Sequence, residues 1–211
     1  MNDVLEQVKT LINDDTKTIK QLRYQVGQCE QLIAALETEN QRLVDQLGHL
    51  VQKLNTDDMT GLANRYHLET SFNTLLSQPQ CHQLALVFID MNKLKTVNDQ
   101  YGHLVGDQAI CHLATLLANN THEGIAARFG GDEFAVLLPN TTHAAATDWA
   151  QSLVMQLAHS PLLIDQRPHY LSFSFGVSDM RADNAPQLTS SKTALDQLIR
   201  QADTRMLSRK A

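Results

Sequence analysis

The stretch Arg128-Phe129-Gly130-Gly131-Asp132-Glu133-Phe134 places two acids directly after two glycines. It joins Ile125 to Phe129 and Glu133 to Leu138, two runs of the composition that favours strands. Such runs separated by Gly-Gly-Asp predict a β-hairpin, because glycine supplies the positive φ that a tight turn requires. Gly130 and Gly131 also have no side chains to obstruct a ligand, so a nucleotide has room to lie across the turn. Standing alone, Gly-Gly-Asp is more often an ordinary hairpin turn, and the surrounding sequence has to decide.

Upstream, Leu84-Ala85-Leu86-Val87-Phe88-Ile89 is an unbroken apolar run, suited to a strand covered on both faces, and it ends in Asp90. An acid at the end of a buried strand, facing Asp132 and Glu133 on a neighbouring hairpin, makes an oxygen site for a hard cation. Magnesium takes a few carboxylates together with water and substrate phosphates. Helical spacing is expected over Tyr66 to Leu76, Asp107 to Leu117, Thr142 to Ala158 and Lys192 to Arg209, and strand alternation over Tyr170 to Val177. This order predicts an α/β (α+β) domain with a mixed sheet over residues 56–211.

Residues 1–55 read differently. A three-then-four spacing runs through Leu5, Val8, Ile12, Asp15, Ile19, Leu22, Val26, Cys29, Ile33, Leu36, Asn40, Leu43, Leu47, Leu50 and Leu54, about seven heptads. β-Branched residues dominate the first position and leucine the fourth, the distribution of a parallel two-stranded coiled coil, and Asn40 at a first position favours one register. At about 1.5 Å per residue this helix would extend roughly 75 Å. A single amphipathic helix laid against the domain is the other reading, but the stripe is narrow for that. Asp15 interrupts the seam, and neutral flanking residues such as Thr18, Gln25 and Gln46 leave partner choice weakly specified.

The formal net charge of -6 argues against a general nucleic-acid surface, and a polyanionic substrate would need metal and local lysine or arginine. No apolar run approaches a membrane span and no signal-peptide pattern opens the chain, which reads as cytoplasmic with no membrane partner. Cys29, Cys81 and Cys111 are odd in number and widely spaced, so neither a disulfide framework nor a zinc ribbon is suggested. The histidines show no ligand-like spacing.

Three segments now combine: Asp57-Asp58-Met59-Thr60-Gly61-Leu62-Ala63-Asn64-Arg65, Asn98-Asp99-Gln100-Tyr101-Gly102-His103-Leu104-Val105-Gly106-Asp107, and Arg128 through Phe134. In this order and spacing the chain resembles the GGDEF-domain diguanylate cyclase family over about residues 57 to 210. The resemblance implies a nucleotidyl-cyclase or palm-like fold, with a central antiparallel-rich mixed sheet surrounded by helices. It implies an enzyme that joins two GTP into cyclic di-GMP and releases two pyrophosphates.

By the same resemblance, magnesium, or manganese in its place, would be held by Asp90, Asp132 and the Met91 carbonyl, with Glu133 close by. Lys95 and Lys210 would contact the triphosphate, and the backbone from Met91 to Leu94 would wrap its terminal phosphates. Asn98 and Asp107 would bind guanine, and Arg128 falls among the substrate-side residues of the signature. Read without the resemblance, Asn98 is a turn asparagine and Asp107 a helix-start aspartate. The general base stays open between solvent and Asp132.

The chain departs from the family pattern in places. The first strand usually continues as Asp-x-Asp-x-Phe-Lys, whereas here it is Asp90-Met91-Asn92-Lys93-Leu94-Lys95. Leu207 and Arg209 stand where tyrosine and alanine are usual, and the sequence stops before the customary Gly-Arg-Asn, so either Arg205 or Arg209 replaces a phosphate-binding arginine or this stretch of sequence stops short of it. The product-inhibition Arg-x-x-Asp is replaced by Thr121-His122-Glu123-Gly124, so neither feedback nor a product-receptor role is expected. The product is two-fold symmetric, so two half-sites must meet, and a homodimer through the Leu5 to Leu54 coil is expected, open to a regulatory protein. The competing reading is a non-catalytic nucleotide-binding or coiled-coil interaction module.

Overall fold

The structure, a computed structural model, describes the backbone of residues 2–181 and 191–210. Side chains at 2–5, 7–14, 191–192 and 209–210 fall outside the description, and with them the seam positions Leu5, Val8 and Ile12 and the phosphate candidate Lys210. The chain divides into two compact units, Met1–Val51 and Gln52–Ala211.

The first unit belongs to helix α1 (Asn2–Asn55), which no proline interrupts. Seam residues from Ile19 to Leu54 are exposed in the single chain, Leu43 at 44% and Leu54 at 63% being the extremes among the large apolar ones. Cys29 is exposed as well, whereas Cys81 is buried and Cys111 half-buried. No helix among the described residues is long and apolar enough to cross a membrane.

The second unit is built in the order β1 (Ala63–Asn64), α2 (Arg65–Leu76), β2 (Gln83–Met91), α3 (Leu94–Tyr101), α4 (His103–Asn120), β3 (Ile125–Gly130) and β4 (Glu133–Pro139). It continues through α5 (His143–His159), β5 (Leu162–Ile164), β6 (Arg167–His169), β7 (Phe173–Arg181) and α6 (Ser191–Lys210). Among the described residues the main sheet has five strands in the order β1-β3-β4-β2-β7. Only β1 and β3 run parallel; the other neighbours are antiparallel. The mixed, antiparallel-rich sheet expected from the sequence is therefore present.

Strand alternation explains why the apolar run of β2 is buried throughout, since successive side chains point to opposite faces. Ala85, Val87 and Ile89 pack with Ile110, Leu113 and Leu117 of α4 and with Ala150, Leu153 and Leu157 of α5. Leu84, Leu86 and Phe88 pack on the other face with Leu68 and Phe72 of α2 and with Leu195, Leu198 and Met206 of α6. Burying a side chain of this size is worth about 1.5–3 kcal/mol each. Two such layers hold the central strands, and their ends carry the acids.

Some elements differ from expectation. Helix α4 begins at His103, four residues before Asp107, so Asp107 lies inside the helix and does not start it. Asn98 is likewise inside α3, not in a turn. The β5–β6 ribbon turns at Asp165 and Gln166, both at positive φ (48° and 62°), which a Gly- or Asn-based reading of hairpins passes over.

Candidate active site

The antiparallel register of β2 and β4 sets Asp90 directly opposite Glu133. Asp132 precedes Glu133 in the turn, and its carbonyl accepts the Met91 N–H at 3.1 Å. By strand parity Asp90 and Glu133 extend the face that α2 and α6 cover. The Glu133 carboxyl is raised above its ordinary value, first by burial and then by the charges of Asp90, Asp132 and Asp203, with Arg65 opposing. Such a site repels added negative charge and favours a cation.

Among the described residues no three His, Cys, Asp or Glu side chains are gathered closely enough to hold a metal on their own. Magnesium does not require three such side chains, because it keeps waters and takes one or two carboxylates together with substrate phosphates. The donor set of carboxylates and a backbone carbonyl has the hard-oxygen chemistry this ion requires.

Gly130 pairs with Glu133, which closes a two-residue turn of Gly131 and Asp132, and the register shifts between Arg128 and Gly130. Gly131 has φ +55°, a region that side chains with a Cβ rarely adopt, and open space surrounds the Cβ position of both glycines. Among the described residues nothing comes within 4 Å of either position.

Arg128, expected beside the substrate, has partners within the protein. Its Nε and Nη2 donate to the Gly131 carbonyl at 3.1 and 2.8 Å, and its Nη1 reaches both Asp57 carboxylate oxygens at 3.3 Å. Burial alone would raise the Asp57 carboxyl, but the Thr60 hydroxyl and amide and the Arg128 guanidinium outweigh it and hold the carboxyl below its ordinary value. Arg128 thus ties the signature turn to the loop that precedes β1. Beside it, Arg65 lies over the Phe129 ring at 4.4 Å, and Phe129 meets Phe88 edge-on.

After Met91 the chain leaves β2, passes through Lys93 in the left-handed region (φ 59°) and enters α3 with no side-chain cap. Uncapped first-turn N–H groups are donors available to an anion. Leu94 is buried and anchors this entry, while Lys95 is exposed next to it.

Helices α3 and α4 bring Asn98 and Asp107 into adjoining elements. The Asn98 Oδ1 is buried and has no hydrogen-bond partner among the described residues. An acceptor left so costs about 1–3 kcal/mol, and a ligand donor would remove that cost. Gly106 makes the room: a Cβ there would stand 1.8 Å from this oxygen.

At the C-terminal end, Arg205 donates from Nη1 to the Val177 carbonyl at 2.6 Å, which gives it a structural partner, while Leu207 is exposed. Lys210 and Arg209 lie outside the described side chains. Sequence reasoning missed Asp203 and Arg65, the charged residues of α6 and α2 that act on Glu133, because only the fold brings them there. A cleft of about 340 Å³ lined by Tyr101, Asp165, Arg167 and His169 shares no residue with this group.

The sequence profile of the family described as "Diguanylate cyclase, GGDEF domain" matches residues 54–211. The chain is 34% identical over 174 residues to the cyclic di-GMP phosphodiesterase PdeR of Escherichia coli (strain K12), covering 82% of this chain and 24% of that protein. It is 32% identical over 150 residues to the diguanylate cyclase VdcA of Vibrio cholerae serotype O1, covering 71% of this chain and 44% of that protein. It therefore spans less than half the length of these curated relatives. Among solved structures, the coiled coil and GGDEF domain of DgcB from Caulobacter crescentus in complex with c-di-GMP is similar in fold, with TM-score 0.74 and 21% identity over 86% of this chain and 93% of that one.

Proposed function

The chain belongs to the diguanylate cyclase GGDEF-domain family, and from that premise we propose that it condenses two GTP into cyclic di-GMP as a homodimer. The observation that carries this reading is the pairing of Asp90 with Glu133 across β2 and β4, next to Asp132 in a turn flanked by open space.

In this reading Asp90, Asp132 and the Met91 carbonyl would hold magnesium or manganese, with Glu133 beside them. Bound there, such an ion would offset triphosphate charge and acidify the attacking 3′-hydroxyl. Asn98 and Asp107 bind guanine, the Asp107 carboxylate accepting from its N1 and N2 donors, for which adenine has no equivalent pair. The backbone from Met91 to Leu94, the uncapped start of α3, Lys95 and Lys210 receive the phosphates. Arg128 acts as a positioning residue that fixes the glycine turn through the Gly131 carbonyl.

The 3′-oxygen of one GTP bonds to the α-phosphorus of the other, the α–β anhydride bond breaks, and pyrophosphate leaves with the bonding electrons. The hydroxyl proton passes to solvent or to Asp132. Repetition with the roles exchanged closes the ring, so two domains must present their substrates to each other. A parallel coil of α1, whose exposed seam needs covering, would hold them at an effective concentration of about millimolar. A cytoplasmic setting and a regulatory protein acting on the coil belong to the same proposal.

A second reading, a nucleotide-binding module with little or no turnover, is favoured by Leu207, which stands where tyrosine is usual, and by the bond from Arg205 to the Val177 carbonyl, which gives that arginine a structural partner. Incubating the purified chain with GTP and magnesium separates the two. Cyclic di-GMP that disappears in Asp132→Ala supports the enzyme; GTP bound without product supports the module.

A further inference from the structure

We propose that Asn92 is a positioning residue for the phosphate-binding loop, locked to Ser174 of β7 and to Ser172 just before that strand. The Asn92 Oδ1 accepts from the Ser174 Oγ at 2.7 Å, and its Nδ2 donates to the Ser172 Oγ at 3.2 Å. Its backbone N–H adds a bond to the Ser172 carbonyl at 2.9 Å. Ser174 is in turn the register partner of Asp90, and Phe173 that of Met91.

These bonds act at a sensitive point. Met91 ends β2, with its N–H on the Asp132 carbonyl, and Lys93 at φ 59° turns the chain into α3. Asn92 is therefore the last residue tied to the sheet before the backbone reverses. Released from the two serines, the segment from Met91 to Leu94 would keep its Asp132 bond at one end and the buried Leu94 at the other, with the Asn92 N–H on the Ser172 carbonyl and the Val97 N–H on the Lys93 carbonyl between them. A flexible segment has to lose that freedom when phosphates bind, which weakens binding, whereas a pre-ordered one does not.

The side-chain chemistry fits this task. An amide donates and accepts at once, matching one serine as donor and the other as acceptor, without adding another charge near Asp90, Asp132 and Glu133. This inference rests on the proposed function for the identity of the ligand, but concerns its binding and not its turnover.

The test titrates the full chain, in magnesium, with a GTP analogue whose α and β phosphates are bridged by a non-cleavable methylene, and compares wild type with Asn92→Ala, Ser174→Ala, the double variant and Ser174→Thr. Each alanine variant is expected to bind about five- to tenfold more weakly. The double variant is expected to bind no worse than Asn92→Ala, since Ser174 acts through Asn92. Ser174→Thr keeps the hydroxyl donor and is expected to stay within about twofold of wild type. Unchanged melting temperatures would separate loop ordering from general destabilisation. Wild-type affinity in the single variants, or fully additive losses in the double, would overturn the proposal. A wild-type chain that binds the analogue but forms no product from GTP would sink the cyclase reading alone; one that does not bind it would sink both.

Discussion

A Cβ added to Gly106 of α4 would stand 1.8 Å from the Oδ1 of Asn98 in α3, an oxygen that is buried and has no partner among the described residues. The glycine and the unpaired acceptor are two halves of one arrangement. A Gly106→Ala substitution improves helix propensity by up to about 1 kcal/mol, yet it forces the asparagine out of place. The expected outcome is a folded protein whose GTP affinity falls by about tenfold, with discrimination against ATP reduced, read by titration with both nucleotides. Unaltered affinity would mean that Asn98 does not contact the base.

Arg128 gives a stability prediction and a pH prediction together. Its guanidinium joins the Gly131 carbonyl to the Asp57 carboxylate, and both side chains are largely covered, at 12% and 24% exposure. Arg128→Ala is expected to destabilise the domain by roughly 1.5–3 kcal/mol, measured by urea unfolding. Asp57 is held below its ordinary value when folded, so its contribution is complete above the unfolded carboxylate range and is lost as pH falls through the folded value. The gap between wild type and Arg128→Ala should therefore be constant near neutrality and narrow below about pH 4. A gap that persists undiminished into acid would argue that Asp57 is not the partner that matters.

Much of this was legible in the sequence because it rests on periodicity. The run Leu84 to Ile89 announced a strand buried on both faces, and Gly130-Gly131-Asp132 a hairpin, from local chemistry alone. Helix α3 is short and its cap residue, Lys93, is one that no capping preference selects, so nothing local marked it. The roles of Arg128, Gly106 and Asn92 depend on partners 71, 8 and 82 positions away, across elements whose contacts only the fold sets.

The acids at the β2–β4 end should cost stability when no cation is present. Glu133 is pushed up by burial and by the charges of Asp90, Asp132 and Asp203, so its ionised form is disfavoured in the folded state. Glu133→Gln is expected to raise the melting temperature of the chelator-treated protein at neutral pH. Solvent screening at this part-exposed position holds the gain to no more than about 2 °C. Magnesium should stabilise the wild type more than the variant. A lower melting temperature in Glu133→Gln would indicate that the carboxylate makes a favourable contact outweighing the repulsion.

The stalk is tested by separating association from binding. Leu36, Leu43 and Leu47 lie on the seam of α1 and are exposed at 56%, 44% and 60% in the single chain. Lysine at all three places like charges across a two-stranded interface and removes its apolar contacts, so the triple variant should be monomeric by light scattering. The substitutions lie outside the GTP-binding residues, and affinity for a non-cleavable analogue is expected to remain within about twofold of wild type, since contacts to the nucleotide are unchanged. Product formation at micromolar chain should nevertheless fall by about a hundredfold or more, because the second half-site must then be found by diffusion in place of an effective millimolar neighbour. Raising the protein concentration should recover part of the loss with second-order dependence. A monomeric variant that keeps its full specific activity would show that the domains find each other without the coil.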